Sequence, residues 1–213
     1  MLPYSGVHYI LFRYLKSDAV VLTSANIPNE PMIITNEDVF SLNADYYLLH
    51  NRKIVNRCDD TVLRVYRDKK HFIRKSRGFV PYKIDVKYNT RILTVGAEEN
   101  VTTAVSSNHG VYPSQYIGNA RYYSTFEFMK RSTEHLLSLF KIAKVDGVGI
   151  DMHPLYQSRK YGLEMAERYN ADVMEIQHHW AHAVSLMVDN KIDIDKRIIA
   201  LTVDGAGYGT DGC

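Results

Sequence analysis

The chain has 213 residues, 46% of them hydrophobic and 23% charged, which excludes a disordered protein and predicts one large core or two small ones. Its formal net charge of +2 implies neither a nucleic-acid nor a membrane partner, and no apolar run approaches the roughly 20 residues of a membrane span. The N-terminus lacks a signal-peptide pattern, and Cys58 and Cys213 lie far apart outside any CxxC pair, so we expect a reducing, cytoplasmic setting.

The first ninety residues predict short strands and turns with few helices. Three segments have strand patterns, namely "DAVVLTSANIPNEPM", which ends in a polar loop, "ADYYLLHNRKI" and "DTVLRVYRD". The stretch "RGFVPYKIDVKYNT" combines a Gly and a Pro with no helical period, which is typical of a linker. We therefore place a domain boundary near Asn89.

Two groups of polar side chains in this part suit a phosphorylated ligand. Thr23, Ser24 and Asn26 offer hydroxyl and amide groups for a phosphate, carbamoyl or carboxyl group, although the composition alone favours an ordinary polar turn. Residues 51–91 carry thirteen Lys and Arg against four Asp, which indicates either a solvated basic face or a phosphate-binding surface. The arginine forks and the hydroxyl that suit a triphosphate or an acyl-adenylate are Arg57, Thr61, Arg64, Arg74 and Arg77.

From Arg91 the pattern changes to alternating strands and helices. The segments "ILTVG", "VTTAVSS" and "VYPSQY" predict an antiparallel meander with tight turns at "AEEN" and "NHG". A helix follows in "STFEFMKRSTEHLLSLFKIAK", with Ser124 as the N-cap and Glu127 three residues later. Its apolar face is Phe126, Met129, Leu136, Leu137 and Phe140. The predicted elements that follow are the strand "VDGVGID", the helix "YQSRKYGLEMAERYN", the strand "ADVMEIQ", the helix "HHWAHAVSLMVDN" and the strand "RIIALTVDG".

This order of elements predicts an α/β sheet with ligands at the carboxyl ends of its strands. It is also the order in which phosphate-binding domains of the actin and sugar-kinase type begin. In those domains the turn between the first two strands, here around Gly96, approaches a nucleotide phosphate. A plain hairpin is the alternative, because a single glycine turn is weak evidence.

The stretch "QHHWAHA" (residues 177–183) carries three of the nine histidines. His178 and His182 are four residues apart, so on a helix both rings point the same way, which suits two nitrogen ligands of one metal ion. Asp204 ends a predicted strand at the edge where the histidine helix begins, and a buried carboxylate there requires a partner. The three residues are a candidate metal site. The alternatives are histidines that bind nothing and an aspartate that caps the "GAGYG" turn.

Nine motifs occur in the order found in the hydrogenase maturation carbamoyltransferase family, HypF, which this chain resembles over nearly its whole length. They are "LPYSGVH", "LTSANIPNEP", "HNRKIVNRCDDTVLRV", "FIRKSRGFVP", "GAEENVTTAV", "SQYIGN", "DMHPLYQSRKYG", "QHHWAHA" and "LTVDGAGYGTDG". The resemblance implies that residues 1–88 are the later part of a YrdC-like α/β domain. It implies that residues 89–213 are the first part of a TsaD-like α/β domain with the actin and sugar-kinase fold.

The resemblance also implies an activity. The first domain would form carbamoyl-adenylate from carbamoyl phosphate and ATP with Mg²⁺. The second would transfer the carbamoyl group to the C-terminal cysteine of a HypE-type partner, as a precursor of the cyanide ligand of a nickel-iron centre. The implied catalytic residues are Ser24, Asn26 and Arg77, the implied cofactor-binding residues are Thr23, Arg57, Thr61, Arg64, Arg74 and Gly96, and the implied ligands of zinc or iron are His178, His182 and Asp204.

The chain departs from the family pattern in three ways. It has neither the acylphosphatase domain nor the paired CxxC zinc fingers, it stops before the Gly-rich nucleotide loops and the last aspartate ligand, and Asn119 stands where an acid is usual. We therefore expect an internal or truncated piece that is inactive alone.

Three other functions stay open. An O-carbamoyltransferase of small-molecule biosynthesis shares both domain types and differs in its acceptor. A non-catalytic RNA-binding module has little support, because the basic stretch lacks clustered aromatic residues for base stacking. The last is an inactive fragment with no role of its own.

Overall fold

The computed structural model describes residues 5–205, 207–210 and 212, so Cys213 lies outside the described residues. This part of the chain is a mixed α/β structure, and none of its helices is long and apolar enough to cross a membrane. In chain order the elements are α1 (Gly6–Tyr14), a 3-10 helix (Asp38–Leu42), β1 (Val62–Tyr66), β2 (Lys69–Arg74), β3 (Ile84–Asp85), β4 (Ile92–Thr94), β5 (Ala104–Ser107), β6 (Gly110–Pro113), α2 (Tyr123–Leu139), β7 (Gly147–Asp151), α3 (Gln157–Tyr169), β8 (Asp172–Ile176) and α4 (His178–Asp189).

A six-stranded sheet organises the second half of the chain, with the strand order β3-β6-β5-β4-β7-β8. The strands β4, β5 and β6 form the predicted antiparallel meander. The strands β7 and β8 run parallel to β4, as the alternation of strands and helices predicts. The carboxyl ends of β4, β7 and β8 therefore meet at one edge of the sheet.

The hydrophobic core lies where α2 and α3 pack against this sheet. The predicted apolar face of α2 is confirmed, because Met129, Leu136 and Leu137 are buried and Phe126 and Phe140 pack partly buried against the same cluster. Every residue of β7 is buried. The remaining buried members of the cluster are Leu93, Val95, Val101, Val105, Ile117, Ala120, Phe128, Ile142, Val145, Val148, Ile150, Tyr161, Met165 and Ala166.

Three predicted strands are wrong. The segments "DAVVLT", "ADYYLLHNRKI" and "RIIALTVDG" contain no strand in the structure. Most of their apolar residues are exposed, and Val21, Tyr46, Ile199, Leu201 and Val203 are each at least 90% accessible. An apolar run becomes a strand only where a neighbour supplies hydrogen bonds and a packing surface, and among the described residues these segments have no such neighbour.

The small first sheet is partly as predicted. "DTVLRVYRD" contains β1, which pairs antiparallel with β2 around a turn at Arg67 and Asp68, both with positive φ. The sequence did not predict the helix α1, because its β-branched and aromatic residues favour a strand. It begins after Ser5, whose side chain accepts a hydrogen bond from the His8 backbone N–H.

Two further expectations need correction at the start of the second half. The helix α2 begins at Tyr123 after Tyr122, which makes no side-chain capping hydrogen bond, so the predicted N-cap at Ser124 is wrong. The predicted linker contains β3, which pairs with β6 in the large sheet. The domain boundary near Asn89 stays a prediction.

The contact between α3 and the sheet is closest at Gly162, and this generates a test of the packing. A Cβ at this position would lie 2.3 Å from Cγ2 of Ile150 and 3.0 Å from Cγ2 of Val95. We expect Gly162→Ala to lower the free energy of unfolding by about 1–3 kcal/mol, despite the helix propensity of Ala, which favours it over Gly by roughly 1 kcal/mol. Urea unfolding measures the difference.

Gly6→Ala in α1 is the matched control, because no atom lies within 4 Å of a Cβ built at Gly6. We expect this control to retain full stability. A Gly162→Ala protein as stable as the control would contradict the close packing of α3 on β7.

Candidate functional site

The predicted metal ligands lie at the carboxyl edge of the large sheet, where α4 begins directly after β8. Gln177 is the N-cap of α4, and its side chain accepts a hydrogen bond from the Trp180 backbone N–H at 2.7 Å. This cap fixes the first turn of α4 and with it the positions of His178 and His182. Nδ1 of His178 lies 2.7 Å from Oδ2 of Asp151, the last residue of β7.

Three donor atoms converge on the other side of the His178 ring. Nε2 of His178 lies 2.9 Å from Oδ2 of Asp204 and 3.1 Å from Nε2 of His182, which itself lies 3.1 Å from the same Asp204 oxygen. The sequence predicted this set of residues, although Asp204 lies in an irregular segment rather than at the end of a strand. Nitrogen and oxygen lone pairs so close together repel one another unless a proton or a cation lies among them.

The three side chains fit a metal ion. In a tetrahedral zinc site with metal–ligand distances of about 2.0–2.1 Å, ligand atoms lie about 3.3 Å apart. The observed separations of 2.9–3.1 Å need an outward adjustment of only a few tenths of an ångström. Two imidazoles and one carboxylate are a donor set that zinc and iron accept. His178, His182 and Asp204 are therefore a candidate metal site.

His179 points away from these donors, as the helical spacing predicts. Its Nδ1 lies 3.2 Å from Nε2 of Gln177, and its Nε2 is buried with no hydrogen-bond partner among the described residues. The ring lies so close to the backbone of Gly207 that a Cβ added there would lie 2.0 Å from Nε2. His179 thus packs against Gly207, three residues after Asp204.

Aromatic and acidic side chains surround the candidate site. His153, in the loop after β7, stacks on Tyr156 with ring centroids 4.0 Å apart and contacts Tyr208 edge-on at 5.4 Å. Burial, and then the carboxylates of Asp151 and Glu98, raise the pKa of Tyr156. The negative field around Tyr156 favours a cation at this edge of the sheet.

Gly96 lies at the same edge, at the carboxyl end of β4. The register pairs Thr94 with Gly149, so Gly96 follows β4 at the level where Asp151 ends β7. Its φ of 71° and a backbone oxygen, that of Thr102, 2.7 Å from an added Cβ both require glycine. The turn between β4 and β5 thus accepts only glycine at position 96. Its role as a phosphate contact stays a prediction.

The polar loop of the first half is held by its own side chains. The Ser24 hydroxyl donates to Oδ1 of Asn26 at 2.7 Å, and Nδ2 of Asn26 donates to the carbonyl oxygens of Ile27 and Glu30. Thr23 and Ser24 are exposed. The loop is therefore preformed, with hydroxyl groups available to a ligand.

The arginine and threonine candidates tie two segments together. The backbone N–H of Ser76 donates to Oγ1 of Thr61, which donates to the carbonyl of Arg77. Nε of Arg74 donates to the Asp60 carbonyl, and Arg77 donates through two nitrogens to the Cys58 carbonyl. The structure thus brings Thr61, Arg74 and Arg77 into one cluster.

Arg57 and Arg64 lie apart from that cluster. Nε of Arg57 donates to the Met32 carbonyl at 2.5 Å, and its guanidinium lies 5.2 Å from the ring centroid of Phe128 in α2. Burial, and then the nearby charge of Arg131, lower the pKa of Arg57. Arg57 therefore contacts both halves of the chain, whereas Arg64 is exposed on β1.

Sequence reasoning missed Asp151. The signal was present, because "VDGVGID" ends a buried strand in an aspartate just as "ALTVDG" was expected to do. The side chain of Asp151 is only 6% exposed, against 31% for Asp204, and it contacts the histidine directly.

Comparison with known proteins finds a match for each half of the chain. The family model described as the HypF Kae1-like domain matches residues 87–189, and the Sua5/YciO/YrdC model, described as telomere recombination, matches residues 1–76. The probable carbamoyltransferase HypF of Methanocaldococcus jannaschii is 45% identical over the whole chain, which covers 28% of that protein. The carbamoyltransferase HypF of Synechocystis sp. is 31% identical over the whole chain, which covers 27% of it.

Solved structures agree with this assignment. The crystal structure of HypF from T. kodakarensis matches the whole chain with a TM-score of 0.89 and 44% identity, and the match covers 28% of that protein. A full-length HypF in a phosphate- and nucleotide-bound form matches with a TM-score of 0.87 and 34% identity, over 33% of its length. The fold class is confirmed as a YrdC-like domain followed by a Kae1-like domain. The chain spans about a third or less of these relatives.

The contact between His179 and the turn after Asp204 generates a test. A methyl group at Gly207 displaces either the ring or the turn that carries Asp204, so we expect Gly207→Ala to lower the affinity for Zn²⁺ by about 10-fold, as for other changes around metal ligands. Gly205→Ala, where no atom lies within 4 Å of a Cβ, is the control and should bind like the unchanged chain. Competition titration with a chromophoric chelator measures both affinities. Equal affinities in the two variants would contradict the role of this contact.

Proposed function

We propose that this chain, which belongs to the HypF carbamoyltransferase family, provides an adenylate-forming surface and a metal site for ATP-dependent carbamoyl transfer to a protein thiol. The observation that carries this proposal is the convergence of His178, His182 and Asp204 at the carboxyl edge of the sheet, with their donor atoms 2.9–3.1 Å apart. In an α/β fold this edge is where ligands bind.

The residues after residue 89 hold the acyl group and the metal. Zinc or iron bound by His178, His182 and Asp204 would draw electron density from the carbamoyl carbonyl. The nitrogen donors come from the first two turns of α4, whose start the Gln177 cap fixes, and the oxygen donor comes from the segment before Gly205.

The residues before residue 89 hold ATP and the carbamate derived from carbamoyl phosphate. Ser24, Asn26 and Arg77 act on the reacting groups, while Thr23, Arg57, Thr61, Arg64 and Arg74 bind the nucleotide with Mg²⁺ and Gly96 approaches a phosphate from the second domain. The support is the cluster of Thr61, Arg74 and Arg77 and, in the same half of the chain, a loop with exposed Thr23 and Ser24. Guanidinium forks bind phosphate in bidentate fashion and neutralise its charge.

Water first hydrolyses carbamoyl phosphate to carbamate and phosphate, and the proposed reaction then has two steps. In the first, carbamate attacks the α-phosphate of ATP, so that carbamoyl-adenylate forms and pyrophosphate leaves. In the second, the thiolate of a C-terminal cysteine on a HypE-type partner attacks the carbamoyl carbon, so that a C–S bond forms and AMP leaves with the oxygen of the broken C–O bond. A basic first domain suits the first step, and a metal-binding edge suits the second.

The metal site predicts a difference among the three histidines. Loss of one of three protein ligands removes most of the affinity, so we expect His178→Ala and His182→Ala each to lower Zn²⁺ affinity by about 100-fold or more, beyond the effect of changes outside the ligands. Metal analysis after gel filtration, together with competition titration, measures the loss.

His179→Ala is the control, because its ring supplies no donor to the cluster. We expect this variant to retain Zn²⁺, with at most the smaller loss that follows from a loosened turn. An equal loss of Zn²⁺ in all three variants would mean that the histidines form a non-specific cluster.

The division of labour predicts that the two steps separate in a full-length family member with changes at the corresponding positions. We expect a double His178→Ala, His182→Ala variant to keep carbamoyl-phosphate-dependent exchange of pyrophosphate into ATP while losing transfer to the thiol. Loss of exchange in a folded histidine variant would contradict this assignment.

The converse change is Ser24→Ala with Asn26→Ala. It should lower exchange by about 100-fold, since two hydrogen bonds to a charged group are worth roughly 3 kcal/mol. Transfer should fall with it, because it consumes the adenylate. An exchange rate equal to that of the unchanged protein would remove these two residues from the proposed adenylate site.

A further inference from the structure

Asp151 has both carboxylate oxygens committed to different partners. Its side chain is 6% exposed at the carboxyl end of β7. Oδ1 accepts a hydrogen bond from the His153 backbone N–H at 2.8 Å, and Oδ2 lies 2.7 Å from Nδ1 of His178. A buried carboxylate requires such partners, because an unpaired charge in the interior is unfavourable.

The backbone around Asp151 is held from the other side as well. The guanidinium of Arg159 donates from Nη1 to the Asp151 carbonyl at 2.9 Å and from Nη2 to the Glu175 carboxylate. Arg159 is in α3 and Glu175 in β8, so these two elements hold the end of β7. The backbone of Asp151 is therefore fixed independently of the histidine, and the His153 N–H holds one oxygen of its carboxylate.

We infer that Asp151 is a positioning residue that selects the tautomer of His178. An ionised carboxylate only accepts hydrogen bonds, so the proton of the neutral ring stays on Nδ1 and donates to Oδ2. The lone pair is then on Nε2, the atom that faces Asp204 and His182. This inference rests on the proposed metal site, and it adds a residue outside the three proposed ligands whose effect passes through one of them.

The two fixed hydrogen bonds of Asp151 make an asparagine at this position informative. In Asp151→Asn the backbone N–H of His153 still requires an acceptor, so Oδ1 keeps its place. The amide nitrogen then faces Nδ1 of His178 and donates to it. The ring proton moves to Nε2, which removes the lone pair that a metal ligand needs. An aspartate-to-asparagine change beside a catalytic histidine acts in this way in serine proteases.

A role confined to packing predicts the opposite order of effects. Asparagine has the shape of aspartate and preserves packing, so it would then be milder than Asp151→Ala. Tautomer selection predicts that Asp151→Asn is at least as damaging as Asp151→Ala, because alanine leaves the ring free to adopt either tautomer. The order of the two variants therefore separates the two roles.

The experiment uses the chain as printed, in four forms: unchanged, Asp151→Asn, Asp151→Ala and Asp146→Asn. Asp146 is the matched control, since it precedes β7 at the opposite end and its Oδ2 accepts a hydrogen bond from the Arg91 backbone N–H. Competition titration gives the affinity for Zn²⁺. Long-range proton–nitrogen NMR of the metal-free chain at about pH 8, where free histidine is neutral, reports the tautomer of His178.

We expect Asp151→Asn to lower Zn²⁺ affinity by about 10- to 100-fold, the range for residues that orient metal-ligating histidines, and by no less than Asp151→Ala. The metal-free spectra should place the His178 proton on Nδ1 in the unchanged chain and in Asp146→Asn, and on Nε2 in Asp151→Asn. Asp146→Asn should bind Zn²⁺ like the unchanged chain.

An unchanged tautomer in Asp151→Asn would overturn the inference, as would an asparagine variant that binds Zn²⁺ better than the alanine variant. If the unchanged chain itself bound no Zn²⁺, the proposed metal site would fail, yet the NMR comparison would still decide the role of Asp151. If Asp151→Ala did not fold, the tautomer in Asp151→Asn would carry the test alone.

Discussion

The parallel pairing of β7 with β4 on one side and β8 on the other determines where Gly96, Asp151 and the start of α4 lie. All five residues of β7 are buried, so a slip by one residue would move every side chain to the opposite face, whose packing it does not match. With this register, β4, β7 and β8 end at the same edge of the sheet. Asp151 is the last residue of β7, and Gly96 and His178 follow β4 and β8. The helix α3 packs against β7 with Gly162 so close to Ile150 that no side chain fits at position 162. This contact holds the same register.

The features predictable from the sequence are those that depend on local geometry. The spacing of His178 and His182 holds wherever the segment is helical, and the edge at which strands end follows from the βαβ order alone. The failed strands depended on neighbours that the local pattern does not specify, so exposed Leu201 and Val203 stayed irregular. Asp151 was not singled out because its importance lies in the orientation of the His178 ring, which only the three-dimensional structure gives.

The basic cluster of the first half can release its internal partners for a ligand. Arg77 pairs with Asp60 at 3.5 Å, and both side chains are about half exposed or more. Exposed ion pairs of this kind contribute about 0–1 kcal/mol. A phosphate offers stronger, charge-assisted hydrogen bonds to the same guanidinium. The internal bonds of Arg74 and Arg77 hold the two guanidinium groups in place, and exchanging the Asp60 partner of Arg77 for phosphate oxygens would cost about 0–1 kcal/mol.

The first turn of α4 creates an electrostatic conflict that the acidic residues resolve. A helix N-terminus carries about half a positive charge, which opposes a cation bound beside it. His178 and His182 supply no negative charge, so the compensation comes from carboxylates. Asp204 contacts both histidine nitrogens directly, and Asp151 acts through the His178 ring from a buried position. Glu98, which contributes to the raised pKa of Tyr156, adds to the same field. A cation at this helix start thus depends on carboxylates from two strand ends and the segment after α4, and this is why the sheet edge and not the helix alone forms the site.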